Sequence, residues 1–526
     1  MNLINDRWIP VRRKSGLCER IAPFQIAEMD DPVVDLDAPR PDFQGALYQF
    51  LIGLLQTVYA PEDSGSWYER LLEPDVDEVS DAFALLQDAM QLLNPEGPAF
   101  LQDFDMPDSE PKPIAALLIE APGGKTLKDN LDHFVKGGQV PTMCLSCAAS
   151  ALFTLQTNAP SGGVGHRVGL RGGGPLTTLL VPSDTEATLW QKLWLNVLVP
   201  DDDYMSEADD PLSPKVLPWM GPTRTSETSG VATSPDDGHP LQMYWGMPRR
   251  IRLEASDETG CCSLCGAEDQ ALVSQYRTRN YGTNYTDHWI HPLTPFRFDP
   301  KKKNPPLSLK GQQGGLGYRH WIGLALGTAE NGDTRAKVVS ELDRERIGML
   351  AVPPSLWCFG YDMDNMKARC WYEHHFPILA CSSKQREYLL ECCKEMLALS
   401  QLAVKTLRTQ VKEGWFNRAK DAKGDVSFVE TDFWQSTEAE FFNTVASISA
   451  LEDGAETKPV VMQAWRVHVI RMMMDTFDRW TLESSPEDLN LKRIMTARAQ
   501  LERFVIRSKL FKQYSQRYPT DQKESA

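Results

Sequence analysis

Lys384-Gln385-Arg386-Glu387-Tyr388-Leu389-Leu390-Glu391-Cys392-Cys393-Lys394-Glu395-Met396-Leu397-Ala398-Leu399-Ser400 is where the chain changes character. Leu389, Cys393, Met396, Leu397 and Val404 recur at the three- and four-residue intervals that align side chains on one helix face, interrupted by Ser400. Trp465, Val469, Met472, Met473 and Phe477 repeat that spacing further on. Pro and Gly are sparse here, and breaks near Gly424, Gly454 and Pro486 divide the region into about four helices, which predicts a C-terminal four-helix bundle. Its Met and Trp stripe reads as core.

Upstream the signals are different. Trp8-Ile9-Pro10-Val11, a Ser15-Gly16 turn and residues 18–21 read as strand, turn, strand. Residues 42–59 turn helical, with Phe43, Ala46, Leu47, Phe50, Leu51 and Leu54 on one stripe, and residues 67–93 read as one or two further helices. Gly and Pro then punctuate the chain to about residue 330. Residues 201–238, acidic and rich in Ser, Thr and Pro, read as a mobile insertion. The expected class is α+β: a large mixed α/β body with long loops over residues 1–377, then the bundle over 378–526.

The 526 residues carry 55 Lys and Arg against 72 Asp and Glu, a net charge of −17, which excludes a protein coated in basic surface but not a local basic groove. No run of 18 apolar residues suggests a membrane span, and the N-terminus lacks the pattern of a signal peptide, so the expected location is the cytoplasm. Eleven Cys in that compartment read first as metal ligands or buried thiols.

The strongest local signal is a pair of CxxC knuckles, Cys144-Leu145-Ser146-Cys147 and Cys262-Ser263-Leu264-Cys265. Facing each other they would make a tetrahedral tetrathiolate site for structural zinc, a staple between distant parts of the chain. Two unconnected pairs of buried thiols would give the same spacing. A second signal is Ser161-Gly162-Gly163-Val164-Gly165-His166-Arg167, continuing through Gly169-Leu170-Arg171-Gly172-Gly173-Gly174. It matches neither a phosphate loop nor a dinucleotide fingerprint. It fits a tight loop between strands equally well as a backbone that approaches a nucleic-acid groove, with Arg167 and Arg171 supplying charge. Gly360-Tyr361-Asp362-Met363-Asp364-Asn365-Met366-Lys367-Ala368-Arg369 lacks the later ligands of a calcium loop and reads as a polar hairpin tip ending in two cations. Hydrolase signatures are missing, and His291, His320, His374 and His375 are scattered among aromatics.

The opening Asn2-Leu3-Ile4-Asn5-Asp6-Arg7-Trp8-Ile9-Pro10-Val11, the two knuckles, Gly169 to Gly173 with Pro175 and Thr177, Trp289 with His291-Pro292, and Gly360-Tyr361 occur in an order that closely resembles the CasA family, the large subunit of the type I-E CRISPR Cascade complex. The resemblance implies a non-catalytic subunit of a crRNA-guided surveillance complex in antiviral defence. Such a subunit inspects duplex DNA for the protospacer-adjacent motif, helps open it for R-loop formation and docks a helicase–nuclease effector. It implies DNA contacts from the glycine loop (Gly162, Gly163, Val164, Gly165, with Arg167) and from a wedge at the hairpin tip (Asp364, Asn365, Met366, with Lys367). It also implies a basic finger at Arg277, Arg279 and Asn280, where Asn280 stands in place of the family's Lys. Phe134 and Lys136 fall in the loop that meets the foot of the complex near the crRNA 5′ end. The implied partners are the other Cascade subunits, crRNA, double-stranded DNA and the effector, with no membrane. The rival expectation is a zinc-dependent nucleic-acid-processing enzyme, which would need an open zinc position or a carboxylate cluster.

Overall fold

The computed structural model describes residues 1–130, 136–201, 204–228, 231–268, 270–286, 289–301, 303–311, 314–327, 332–364, 367–380, 383–421, 423–451, 458–483 and 490–519. The chain forms two compact units, Met1–Gln312 with Thr328–Ile378, and Gln313–Gly327 with Leu379–Ala526.

In the first unit the apolar stripe of residues 42–59 becomes the helix Pro41–Val58, buried almost all round. Phe50 sits at its centre, with Trp8, Phe100, Phe153 and Trp245 placed edge-on at centroid distances of 5.4 to 5.9 Å. Edge-to-face contact is the arrangement aromatic quadrupoles favour, so these rings fix geometry as well as exclude water. A second buried helix, Leu145–Asn158, packs on the first. Its polar residues are accommodated because Ser150, Thr154 and Asn158 each donate to the backbone carbonyl four residues earlier.

Around these helices lie small antiparallel sheets rather than one large one. Ile9–Arg13 pairs with Cys18–Ile21 through the expected turn and with Val33–Leu36. Gln275–Arg279 lies between Pro111–Pro113 and Arg250–Leu253. Gln270–Val273 lies between Met143–Cys144 and Thr259–Gly260. The longest hairpin, Ser355–Asp364 with Lys367–Pro377, adds Thr177–Val181 at its other edge. Residues 67–93 form two helices, Ser64–Leu72 and Val76–Ala84, followed by the short turn Gln87–Ala89. Residues 201–238 are not a loose insertion: Met205, Val216, Leu217 and Trp219 are core residues, and the Trp219 indole donates to the Ala89 carbonyl at 2.7 Å. Composition misleads there because a few large apolar anchors outweigh many small polar neighbours.

The second unit holds the helices Ser383–Trp415, Ser427–Ser449, Lys458–Leu482 and Leu491–Arg507, with a short fifth, Lys509–Arg517. Leu389, Cys393, Met396, Trp465, Val469, Met473 and Phe477 form its core as the spacing predicts. Ser400 is tolerated there because its hydroxyl donates to the Met396 carbonyl at 3.0 Å. The break drawn at residue 377 leaves out one piece: the segment carrying Tyr318–Trp321 belongs to this helical unit. The Tyr318 ring stacks on Phe441 at 4.3 Å, its hydroxyl meets Thr437 Oγ1 at 3.0 Å, and Trp321 lies edge-on to Phe441 and Phe442.

Phe441→Ala is expected to cost about 3–5 kcal/mol of stability, as large-to-small core changes do. Tyr318→Ala should fall in the same range, and the pair should couple by about 0.5–1.5 kcal/mol. Urea unfolding of the two single variants and the double variant, followed by circular dichroism, measures both; strict additivity would place Tyr318 away from that face.

Candidate nucleic-acid interface and cysteine cluster

The first knuckle lies where the strand Met143–Cys144 turns into the helix Leu145–Asn158, with Cys147 in its first turn. The second lies between Thr259–Gly260 and Gln270–Val273, and turns at Gly266 with φ +70°. Cys144 pairs with Leu272 across that sheet, which presses the knuckles together. The sulfurs of Cys144, Cys147, Cys262 and Cys265 lie within 4.8 Å of one another, and Cys144 Sγ is 3.8 Å from Cys265 Sγ. Metal–sulfur bonds of about 2.3 Å in a tetrahedron put sulfurs about 3.8 Å apart, so the set fits one metal ion with little movement. The two knuckles are thus one cluster rather than two separate thiol pairs. Thiol hydrogen bonds to Cys144 and Cys262, together with burial, push Cys147 up, while bonds from Cys144 and Cys147 hold Cys262 down. A metal ion among them would hold all four as thiolates, the form that ligates metal. Arg20, which the sequence does not flag, points its Nη2 at Cys265 Sγ (3.5 Å) and Cys144 Sγ (3.7 Å) and donates through Nη1 to Gln270 Oε1 (2.9 Å).

Each knuckle leads directly into one of the sequence-predicted elements. The helix that starts at Leu145 ends at Asn158 and releases the glycine stretch. The strand Gln270–Val273 runs on through Ser274 into Gln275–Arg279. The two elements meet again at their far ends, where the Tyr281 N–H donates to the Gly165 carbonyl at 2.7 Å. A Cβ on Gly165 (φ +76°) would lie 2.9 Å from Asn280 Cβ and from the Tyr281 ring, so only glycine fits. Gly162 and Gly163 lie beside His166, Gly163 has φ +70°, and Val164 is 74% exposed at the tip. The loop closes at its base, where Gly169 N–H donates to Ala159 O (3.0 Å) and Gly174 N–H to Asn158 O (3.2 Å).

The cations are placed less simply than their sequence suggests. Arg167 turns onto Ser226, donating to Oγ at 2.7 Å and to its carbonyl at 3.4 Å, so it braces the loop instead of offering a surface charge. Arg171 is buried and takes no part in this surface. Arg277 is held between Asp108 (2.7 Å) and Glu254 (2.5 Å). Arg279 and Asn280 are exposed, with the Arg279 guanidinium donating to the Asp108 carbonyl. These residues line a groove of about 1030 Å³ together with Lys112, Glu110, Glu227 and Tyr281. A second residue that sequence reasoning missed is Arg249, which donates to His166 Nδ1 and to the Pro160 carbonyl and so clamps the loop from beneath. The only signal was the Arg249-Arg250 pair at the start of a strand, where alternation sends neighbours to opposite faces; Arg250 pairs with Asp103 at 2.6 Å.

At the hairpin, Asp364 pairs with Lys367 in register, and both are exposed. Arg369 grips Asp362 with two hydrogen bonds of 2.7 and 3.0 Å and reaches Asp364 at 3.8 Å. Gly174 abuts this hairpin, since a Cβ there would lie 2.6 Å from Met363 Cγ and 2.9 Å from the Tyr361 carbonyl. One glycine-rich stretch thus touches the finger at its tip and the hairpin at its base. Asn365, Met366 and Phe134 lie outside the described residues, and Lys136 is exposed.

The family model for the CRISPR-associated protein Cse1 matches residues 2–476. A CasA/Cse1 protein of Thermus thermophilus is 29% identical over 260 residues, so the match spans 48% of this chain and 48% of that relative's length. The crystal structure of a Cse1 from Acidimicrobium ferrooxidans superposes with a TM-score of 0.68 at 16% identity, covering 99% of each chain. A chain of a CRISPR RNA-guided surveillance complex superposes with a TM-score of 0.66 at 15% identity, covering 96% of this chain and 99% of that one. The fold is that of a CRISPR-associated protein. The chain belongs to the Cse1 family, the CasA family that its ordered motifs resemble. Among the described residues, no helix is long and apolar enough to cross a membrane.

Burial, with Arg249 and Lys112 adding to it, pushes the His166 pKa down to about 4 from an ordinary 6.5. The folded loop therefore resists protonation that the unfolded chain accepts. The stability from neutral His166 is complete above about pH 6.5 and is lost as the pH falls towards 4. Hydrogen exchange at residues 162–168 should accelerate relative to the core over that window, and His166→Gln, which keeps an acceptor for Arg249, should flatten the dependence.

Proposed function

We propose that the chain is the large, non-catalytic subunit of a type I-E Cascade complex, that it reads the protospacer-adjacent motif in duplex DNA, and that its cysteine cluster holds structural zinc. The observation that carries the reading is the Gly165–Tyr281 contact, which holds a glycine loop and a basic strand end together beside an open groove. Minor-groove edges lie in a slot only about 6 Å wide, and glycine backbone can enter where side chains collide. In this reading Gly162 to Gly165 approach the base edges and Arg279 and Lys112 meet phosphate. Asp364, Asn365, Met366 and Lys367 form the wedge that helps open the duplex. Phe134 and Lys136 face the crRNA foot, and the helical unit docks other subunits and the helicase–nuclease. Four convergent sulfurs fill a tetrahedral coordination sphere, which favours a structural ion over a hydrolytic one.

Two measurements test this. In mobility shifts with the assembled complex on a matched target, Gly163→Asp should abolish duplex binding without loss of assembly, because it places a carboxylate against phosphate. Arg279→Ala should weaken binding and flatten its salt dependence. Asp108→Ala should act in the opposite direction. The Asp108 side chain is 94% exposed, and removing it leaves Arg277 on Glu254 but takes one negative charge out of the groove, so binding should tighten modestly. Retained discrimination between permissive and non-permissive motifs in Gly163→Asp would overturn the assignment.

Elemental analysis of the purified full chain should find one zinc per chain. Cys147→Ser should lose it and lower the unfolding temperature, and chelation of the parent should do the same.

A further inference from the structure

We propose that a buried cavity at Arg171 is the binding site of a single small monovalent anion, of the size of chloride. The cavity measures about 20 Å³ and is lined by Gln49, Gln156, Leu170, Arg171, Tyr244 and His291 among others. That volume accommodates about one water-sized guest. It belongs to none of the surfaces assigned above.

Its chemistry selects the guest. Arg171 is 5% exposed, and its guanidinium donates only to neutral groups: Gln49 Oε1, Thr177 Oγ1 at 3.1 Å and Thr294 Oγ1 at 2.9 Å. Among the described residues no carboxylate pairs with it, although a buried cation ordinarily keeps a counter-charge. Burial pushes its pKa down to about 9, which still leaves it charged at neutral pH. Tyr244 is 5% exposed, and its hydroxyl has no hydrogen-bond partner among the described residues. His291 is 2% exposed, and its Nδ1 accepts from Leu293 N–H at 3.1 Å, so the ring proton sits on Nε2 and is available to donate. The Tyr244 and His291 rings stand 5.3 Å apart.

The acceptors of the other buried lining side chains are engaged. Gln49 Oε1 takes Arg171, and Gln156 Oε1 takes the Arg249 N–H at 2.9 Å. The two amide nitrogens also donate elsewhere, to Gly45 and to Leu101 and Arg249 carbonyls. A positive charge, a hydroxyl donor and an imidazole donor remain. Of these three groups only the Tyr244 oxygen could accept from a water molecule, whereas a monatomic anion accepts from all three and neutralises the cation. Gln156 and Leu170 lie at the base of the glycine loop, so the anion would also hold that base against Arg171, which itself bonds Thr177.

The test is thermal unfolding of the full chain at constant ionic strength, with gluconate, too large for the cavity, replaced stepwise by chloride or bromide. The parent should show a saturable rise in unfolding temperature, on the order of 2 °C. Arg171→Met risks misfolding, so the informative variant is Tyr244→Phe. In gluconate it should be at least as stable as the parent, because an unpartnered buried hydroxyl is gone, and its halide affinity should fall about tenfold. In bromide-soaked crystals of the parent, anomalous signal should fall within hydrogen-bonding distance of the Arg171 guanidinium and the Tyr244 hydroxyl. Identical unfolding in gluconate and chloride overturns the proposal, as does a halide response that Tyr244→Phe leaves unchanged or bromide bound only elsewhere.

Discussion

The convergence of four sulfurs ties two stretches of chain together across 121 residues of sequence, and the glycine loop and the basic strand end are both built outward from that point. One strand of the tie becomes a buried helix about 21 Å long, the other a strand of the small sheet beside it. The glycine loop and the strand end are each short, and each has support of its own, Arg249 beneath the loop and Arg250 paired with Arg279 across the sheet. Rooted together and touching again at Gly165 and Tyr281, they form a closed frame. A closed frame loses less entropy on binding a partner than two free loops, so under the proposed reading the staple bears on recognition at a distance.

The division into an α/β body and a helical unit was legible because helix periodicity is local. So were the opening hairpin, the 41–58 helix and the two knuckles. The segment carrying Tyr318 was misassigned for the opposite reason. It is short, and what attaches it is a set of ring contacts from Tyr318 and Trp321 with two hydrogen bonds between Tyr318 and Ser427–Ser449, contacts that leave no periodic trace. At the site, the glycines and cysteines could be found by residue type. The ionic state of the arginines could not. Arg167, Arg171 and Arg277 look alike in sequence, yet one braces a loop, one is buried beside neutral partners and one is shared between two carboxylates. Side-chain charge is a property of the residue; whether it is available is a property of the fold.

If the chain reads DNA as proposed, its acidic surface has to confine its repulsion. The groove beside the finger mixes Lys112, Arg277 and Arg279 with Asp108, Glu110 and Glu227, so its net field is weak. Indiscriminate phosphate attraction is correspondingly low, and binding depends on what fits. Neutral His166 works in the same direction: burial and Arg249 keep it uncharged, so the loop tip presents backbone rather than another cation.

The geometry of the tip has a cost that bears on this. Gly163 and Gly165 occupy left-handed backbone, and so does Tyr281 at φ +61°, where a bulky side chain is strained. Strain at Tyr281 persists only because its neighbours over-determine it: its N–H is held by Gly165, its carbonyl accepts from Ser226, and Ser226 in turn takes Arg167 and donates to Gly282. Arg167 therefore has a use that a phosphate contact would forfeit. Drawn outward to DNA, it would release Ser226 and with it the turn that presents Arg279. An inward Arg167 and an outward Arg279 are two parts of one arrangement, in which one cation holds the backbone so that another can be aimed.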